Sequence, residues 1–262
     1  MNRTVKVALR GSLATTAVVC SLLCEHSAQA AEGADVLGRI GPRGSRRTES
    51  PQDAAVELRF QRYVPDQIDD GLSGAPYKEI FGDNNRYLFG LEFDWQVLRI
   101  PYLGTLAPGL GIGFSSISAK APLANGEGRS EGQKTSLRVL PTYLVAVLRA
   151  DVVARETVVP LVPYAKVGLG ATFWQIMDGS KIARSNGVVG TGTSYGPQFA
   201  LGAMLLLDWF SPQDALSADA ALGLNNSYVF GEWFVSKLDG FGSKDTLNLS
   251  LNTWTFGLAL EF

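Results

Sequence analysis

The sequence predicts an all-β protein, a closed antiparallel transmembrane β-barrel of eight strands with one short helix in a connection. Three observations carry that reading. The segment Thr246 to Phe262 sets Trp254, Phe256, Leu258, Leu260 and Phe262 on one face of a strand and Thr255, Gly257, Ala259 and Glu261 on the other. Residues 86–98 repeat the pattern, with Tyr87, Phe89, Leu91, Phe93, Trp95 and Val97 opposite Gly90, Glu92, Asp94 and Gln96. Successive strand side chains point to opposite faces, so both segments have one unbroken apolar face. Finally, no apolar run after residue 30 approaches the eighteen residues that a spanning helix needs, so the hydrophobicity is spread through alternating segments.

The N-terminus precedes the fold. Arg3, Lys6 and Arg10 form a positive region, Ala14 to Leu23 an apolar one, and Ser27-Ala28-Gln29-Ala30-Ala31 fits an A-x-A cleavage site after Ala30. Residues 1–30 are therefore expected to be a secretory signal peptide. Val19 and Leu23 precede the two cysteines where a lipoprotein signal would carry small residues. Cleavage removes Cys20, Cys24 and His26, leaving a chain with no cysteine or histidine. Such a chain builds no disulfide, no Cys/His zinc site and no Ser-His or Cys-His nucleophile, so no catalytic, metal or cofactor-binding residue is expected. Losing Arg3, Lys6, Arg10 and Glu25 moves the net charge from −2 to −4, which argues against nucleic acid as a partner. Residues 31–52 are rich in Gly, Arg and Ser without periodicity and read as a disordered lead-in; the barrel is assigned to 53–262.

The first strand, 54–64, alternates Val56, Leu58 and Phe60 with Glu57, Arg59 and Gln61. Pro65 ends it, and the loop 65–85 carries turn-forming Asp69-Asp70-Gly71 and Gly82-Asp83-Asn84-Asn85. The second strand is 86–98. In the third, 104–119, Leu110, Ile112 and Phe114 alternate with Gly109, Gly111 and Gly113. Those glycines recur at period two with no helix after them, so they make no dinucleotide fingerprint. Turned inward, they leave room for large interior side chains. The fourth strand, 134–149, is expected to turn Leu137, Val139, Tyr143, Val145 and Val147 outward and Arg138, Thr142 and Ala146 inward. The fifth, 161–176, sets Val167, Leu169, Ala171 and Phe173 against Tyr164, Lys166, Gly168, Gly170 and Thr172, and the loop 177–192 is polar. The sixth, 193–209, opposes Tyr195, Phe199, Leu201, Leu205, Leu207 and Trp209 to Gln198, Gly202 and Asp208. Ser211 as a cap and Pro212 at the first position then predict a short periplasmic helix over Pro212–Leu222. The seventh strand, 224–237, puts Val229, Trp233 and Val235 opposite Tyr228, Glu232 and Phe234, with the facing open. The turn Asp239-Gly240-Phe241-Gly242 returns the chain to the last strand.

An even strand number puts both termini in the periplasm. Loops 65–85, 120–133, 177–192 and 239–245 are then extracellular, and the connections near 99–103, 150–160 and 210–223 periplasmic. Two of those connections are longer than such turns usually are, which leaves the count open. With charge inside, the lumen receives Glu57, Arg59, Glu92, Asp94, Arg138, Lys166, Asp208 and Glu232, joined by Gln61, Gln96, Tyr164, Gln198 and Glu261. An eight-stranded barrel is only wide enough to be filled by side chains. The charges then form a structural ion-pair plug, or else a narrow polar path gated by Arg59, Arg138 or Lys166 exchanging carboxylates. Glu92 and Asp94, two apart on one strand, lack the loop that wraps a calcium ion. Tyr87, Phe114, Phe173 and Tyr195 near one set of strand ends, and Trp95, Trp209, Tyr228 and Phe262 near the other, form two bands like membrane-interface girdles.

The terminal residues Trp254, Phe256, Leu258, Leu260 and Phe262 resemble the C-terminal signal by which bacterial outer-membrane barrels are recognised for insertion. The segment Pro160-Leu161-Val162-Pro163-Tyr164-Ala165-Lys166, with Gly168-Leu169-Gly170 and Trp174, resembles a family of outer-membrane β-barrel proteins typical of myxobacteria. So do Tyr228-Val229-Phe230-Gly231-Glu232-Trp233, the loop Leu238 to Asp245 and the terminal strand. The likeness runs from about Val56 to Phe262. It implies a fold and a place in the bacterial outer membrane, with outer-membrane lipid and the barrel-assembly machinery as partners, and it supplies no catalytic or ligand residue. The expectation is a non-enzymatic outer-membrane protein with a structural or surface-interaction role through its extracellular loops. The alternative is a small pore or transporter for solutes.

Overall fold

The computed structural model describes residues 53–262 apart from 66, 70–74, 83–85, 123–127, 158, 186, 211–212, 214–220 and 244–245. The expected signal peptide and lead-in, and nearly all of the expected helix Pro212–Leu222, lie outside the described residues.

Eight long strands follow in chain order: β1 (Ala54–Arg62), β2 (Tyr87–Trp95), β3 (Gly104–Pro122), β4 (Arg129–Arg149), β5 (Leu161–Asp178), β6 (Thr191–Leu206), β7 (Asn226–Ser236) and β8 (Leu251–Glu261). Each pairs antiparallel with the next. β8 returns to β1 in the register Leu58↔Leu258 and Glu57↔Ala259, closing the barrel. Closure removes the sheet edges, which explains how a chain can end on an apolar strand. The strand Leu98–Ile100 folds back on the start of β3, Lys181–Ile182 continues from β5, and Arg184–Ser185 pairs with Val188–Val189. The stretch expected to be one polar loop, 177–192, is therefore partly strand.

The strands differ in length. β3 and β4 have 19 and 21 residues, whereas β1 and β2 have 9 each. A tilted crossing takes about 9–11 residues, so the β3/β4 hairpin continues well past it. The shorter strands leave the mouth on the loop side open, and their loops fill it. Tyr63 and Ile68, with Tyr77 and Phe81 of helix α1 (Pro76–Phe81), meet Leu238, Leu249 and Leu251 over Leu88, Ile117, Leu137 and Val139. The carboxylate of Asp69 accepts the Tyr77 and Lys78 backbone N–H groups at 2.8 and 3.1 Å, satisfying donors that a helix start leaves bare. Arg129 of β4 donates to the Glu79 and Ile80 carbonyls at 2.6 and 2.5 Å, doing the same for the helix end. A second short helix, α2 (Val152–Glu156), lies in the connection between β4 and β5.

The outer surface is apolar. Phe89, Leu91 and Phe93 of β2, Leu110 and Ile112 of β3, Val167 and Leu169 of β5, and Trp254, Phe256 and Leu258 of β8 are all exposed. On β1, β2, β5 and β7 the alternate residues turn into the lumen. β4 reverses the expected facing. Leu137, Val139, Val145 and Val147 are buried in the lumen, whereas Leu140, Leu144 and Arg138 are exposed outside. Both parities of that strand are apolar, so alternation alone does not choose a face. The choice is made by Arg149, which shares the parity of the valines and is buried. Tyr228 also differs from expectation. It is buried and its hydroxyl donates to Glu261 inside the barrel, so it belongs to no outer aromatic band.

Candidate functional site: an ion-paired lumen

Inward parity on six strands delivers the charges: Glu57 and Arg59 from β1, Glu92 and Asp94 from β2, Arg149 from β4, Lys166 from β5, Glu232 from β7 and Glu261 from β8. All are buried. Room is made on β3, whose inward positions include glycines. A Cβ on Gly111 would lie 2.0 Å from the Tyr143 ring, so that ring is bedded on bare backbone. From there the Tyr143 hydroxyl donates to Glu92 at 2.7 Å.

Each cation bridges several carboxylates. Arg59 reaches Glu57 at 2.7 Å and Glu92 at 3.1 Å, and also pairs with Glu232. Lys166 bonds Glu57 at 2.6 Å and also Glu92. Arg149 bonds Glu57 at 3.1 Å and Asp94, with Glu261 at 3.8 Å. Hydroxyls and amides complete the set. Tyr164 donates to Glu232 at 2.8 Å; Tyr228 and Asn226 donate to Glu261 at 3.0 and 2.7 Å. Such pairing is required, because an unpaired charge out of water costs several kcal/mol.

The carboxylates of Glu57, Glu92 and Asp94 come within 4.8 Å of one another, a spacing compatible with a metal ion. The oxygens of Glu57 and Glu92 are already taken by Lys166, Arg59, Arg149 and Tyr143. The chain's own ammonium does there what a metal would do.

On the loop side of the cluster, a cavity of about 40 Å³ is lined by Arg59, Gln61, Thr172 and Gln198, with Tyr63 and Leu249 among the side chains that roof it. That volume holds a few water-sized molecules. The Tyr63 hydroxyl is buried without a hydrogen-bond partner.

The structure brings together six of the eight expected lumen residues: Glu57, Arg59, Glu92, Asp94, Lys166 and Glu232. Arg138 is corrected to the outer face, since β4 is turned the other way. Asp208 is corrected to the turn after β6. It is half-buried there and accepts from the Ser227 backbone N–H at 3.2 Å and hydroxyl at 2.6 Å. Arg149 was not expected. Its signal was present in the sequence as the only charged residue within 134–149 sharing a parity with Tyr143, Val145 and Val147. Of the terminal signal residues, Trp254, Phe256, Leu258 and Phe262 are exposed on the outer face and Leu260 shares their parity, half-buried.

No protein-family model matches the chain, and no curated protein does. Among solved structures, Ail, the attachment invasion locus protein of Yersinia pestis, is 12% identical, with 80% of this chain and 97% of that chain covered and a TM-score of 0.42. The outer membrane protein OprG of Pseudomonas aeruginosa is 12% identical over 80% and 96% of the two chains, with a TM-score of 0.43. The N-terminal β-barrel domain of OprF from the same organism is 11% identical over 80% and 98%, with a TM-score of 0.39. Likeness at this level adds nothing to the closed topology that the strand pairing gives directly. The resemblance to myxobacterial barrels remains one of sequence segments.

Proposed function

We propose that this chain is a non-enzymatic protein of the bacterial outer membrane, working as a closed membrane-embedded barrel whose outer loops make its contacts. One observation carries the reading: the closed barrel exposes a band of large apolar side chains and encloses its charges. In water that arrangement is inverted, because exposed apolar patches beyond a few hundred Å² drive association. In a bilayer it satisfies both requirements, lipid on the outside and every backbone polar group paired. The terminal residues Trp254 to Phe262 suit recognition by the barrel-assembly machinery, and the exposed aromatics suit outer-membrane lipid. The lumen serves stability, since each of its charged groups bonds at least one other side chain. Membrane fractionation with a heat-modifiability gel tests the reading. The protein should sediment with outer membranes and migrate differently before and after boiling. A soluble protein with no heat shift would end it.

A second reading, a small pore for solutes, is favoured by the cavity next to the ion cluster, part of whose mainly apolar lining is Arg59, Gln61, Thr172 and Gln198. Planar-bilayer recording separates the two. A plugged barrel gives a flat trace, and stepwise conductance of the unmodified protein would establish the pore.

A further inference from the structure

The lumen cluster holds five carboxyl groups, Glu57, Glu92, Asp94, Glu232 and Glu261, against three cations, Arg59, Arg149 and Lys166. Two negative charges are left over among buried side chains. Nine of the ten carboxyl oxygens have a partner. Glu57 takes Arg149 on one and Arg59 with Lys166 on the other. Glu92 takes Lys166 and Tyr143. Glu232 takes Arg59 and Tyr164. Glu261 takes Gln96 on one, and Asn226 with Tyr228 on the other. Asp94 bonds Arg149 through Oδ2, and its Oδ1 is buried with no hydrogen-bond partner.

The surroundings of that oxygen say what it can hold. A Cβ placed on Gly109 would fall 2.3 Å from Oδ1 and 2.9 Å from a Val145 methyl, so Oδ1 lies over bare backbone beside a valine. A metal ion needs several free oxygens, and here only one is uncommitted. A bare carboxylate in such a place keeps none of its hydration. Glu57 and Glu92 face it within 4.8 Å, and carboxylates that close do not all ionise together. Arg149 from β4 offers one bond in return, and Lys166, Arg59, Glu232 and Glu261 complete the charged groups around it.

We infer that the lumen is a proton-binding site and that Asp94 holds the proton, as a neutral carboxylic acid, in the folded barrel at neutral pH. The proton cuts the excess of two negative charges to one. It leaves Arg149 free to bridge Glu57 and Glu261 while still donating to Asp94.

Infrared spectroscopy of the folded protein at neutral pH tests this, using unlabelled protein and protein carrying ¹³C at the aspartate side-chain carboxyls. Asp94 is the only fully buried aspartate among the described residues, so the wild type alone is informative. The expected result is a protonated-carboxyl C=O band that shifts on aspartate labelling, vanishes on unfolding and is missing from Asp94→Asn. No such band, or a band that ignores the label, would overturn the assignment, as would one that persists in Asp94→Asn. Should that variant not fold, the labelled wild type still decides.

Discussion

Arg59, Lys166 and Arg149 each hold two or more carboxylates, so removing any one of them strands charge in a closed space. Breaking one side of a buried pair costs about 3–5 kcal/mol. Lys166→Met and Arg149→Met are therefore expected to lower folded-barrel stability by about that amount in urea unfolding followed by gel shift. Arg138→Ala, on the outer face, should change it by less than about 0.5 kcal/mol. The contrast separates the observed lumen from the one expected from alternation, which included Arg138 and omitted Arg149. Tyr63 gives a second prediction. Burial pushes its hydroxyl above the ordinary tyrosine range, and that hydroxyl has no partner. Deleting an unsatisfied buried group is neutral or stabilising, so Tyr63→Phe should unfold at an equal or higher urea concentration. The unfolded chain gives up this proton first. The wild type should then lose stability relative to Tyr63→Phe as pH rises above about 10, and the two should run parallel below it. A wild type that gains on the variant at high pH would contradict this.

Among the elements, strands with one charged and one apolar parity were legible. Glu57 and Arg59, Glu92 and Asp94, and Lys166 mark the inward side of β1, β2 and β5 without ambiguity. β4 was not legible, because Leu140, Leu144 and Leu148 compete with Val139, Val145 and Val147 for the outer face. Only a packing constraint decides it: the lumen needs Tyr143 beside Glu92 and Arg149 beside Asp94. The α1 helix was hidden for a different reason. Pro76 at its start and Gly82 just past its end are local boundary signals, but the side chains that satisfy its ends are Asp69 and Arg129, a residue of another hairpin, so no side-chain capping box marks it. That dependence makes Arg129 a latch. Arg129→Ala removes charge-assisted bonds worth about 1.5 kcal/mol, roughly tenfold in open population. Limited proteolysis should cut within residues 63–86 about tenfold faster while the barrel core stays resistant. Unchanged cleavage would show that the apolar contacts of Tyr77 and Phe81 hold the helix unaided.

For the whole molecule, the same alternation that closes the barrel sorts grease from charge across its wall. The apolar stopper of Tyr63, Phe81 and Leu249, the cavity beneath it and the ion cluster beyond lie in series, so the unmodified barrel should be silent in bilayers. Site-directed spin labelling tests the central claim most directly, and the absence of cysteine from residues 31–262 makes single-cysteine variants of that stretch clean. Labels at Phe93, Leu144 and Leu258 should collide readily with oxygen dissolved in lipid and poorly with a water-soluble nickel chelate. Preferential collision with the chelate at Phe93 and Leu258, or labels shielded from both reagents, would contradict a barrel that turns its apolar face to lipid.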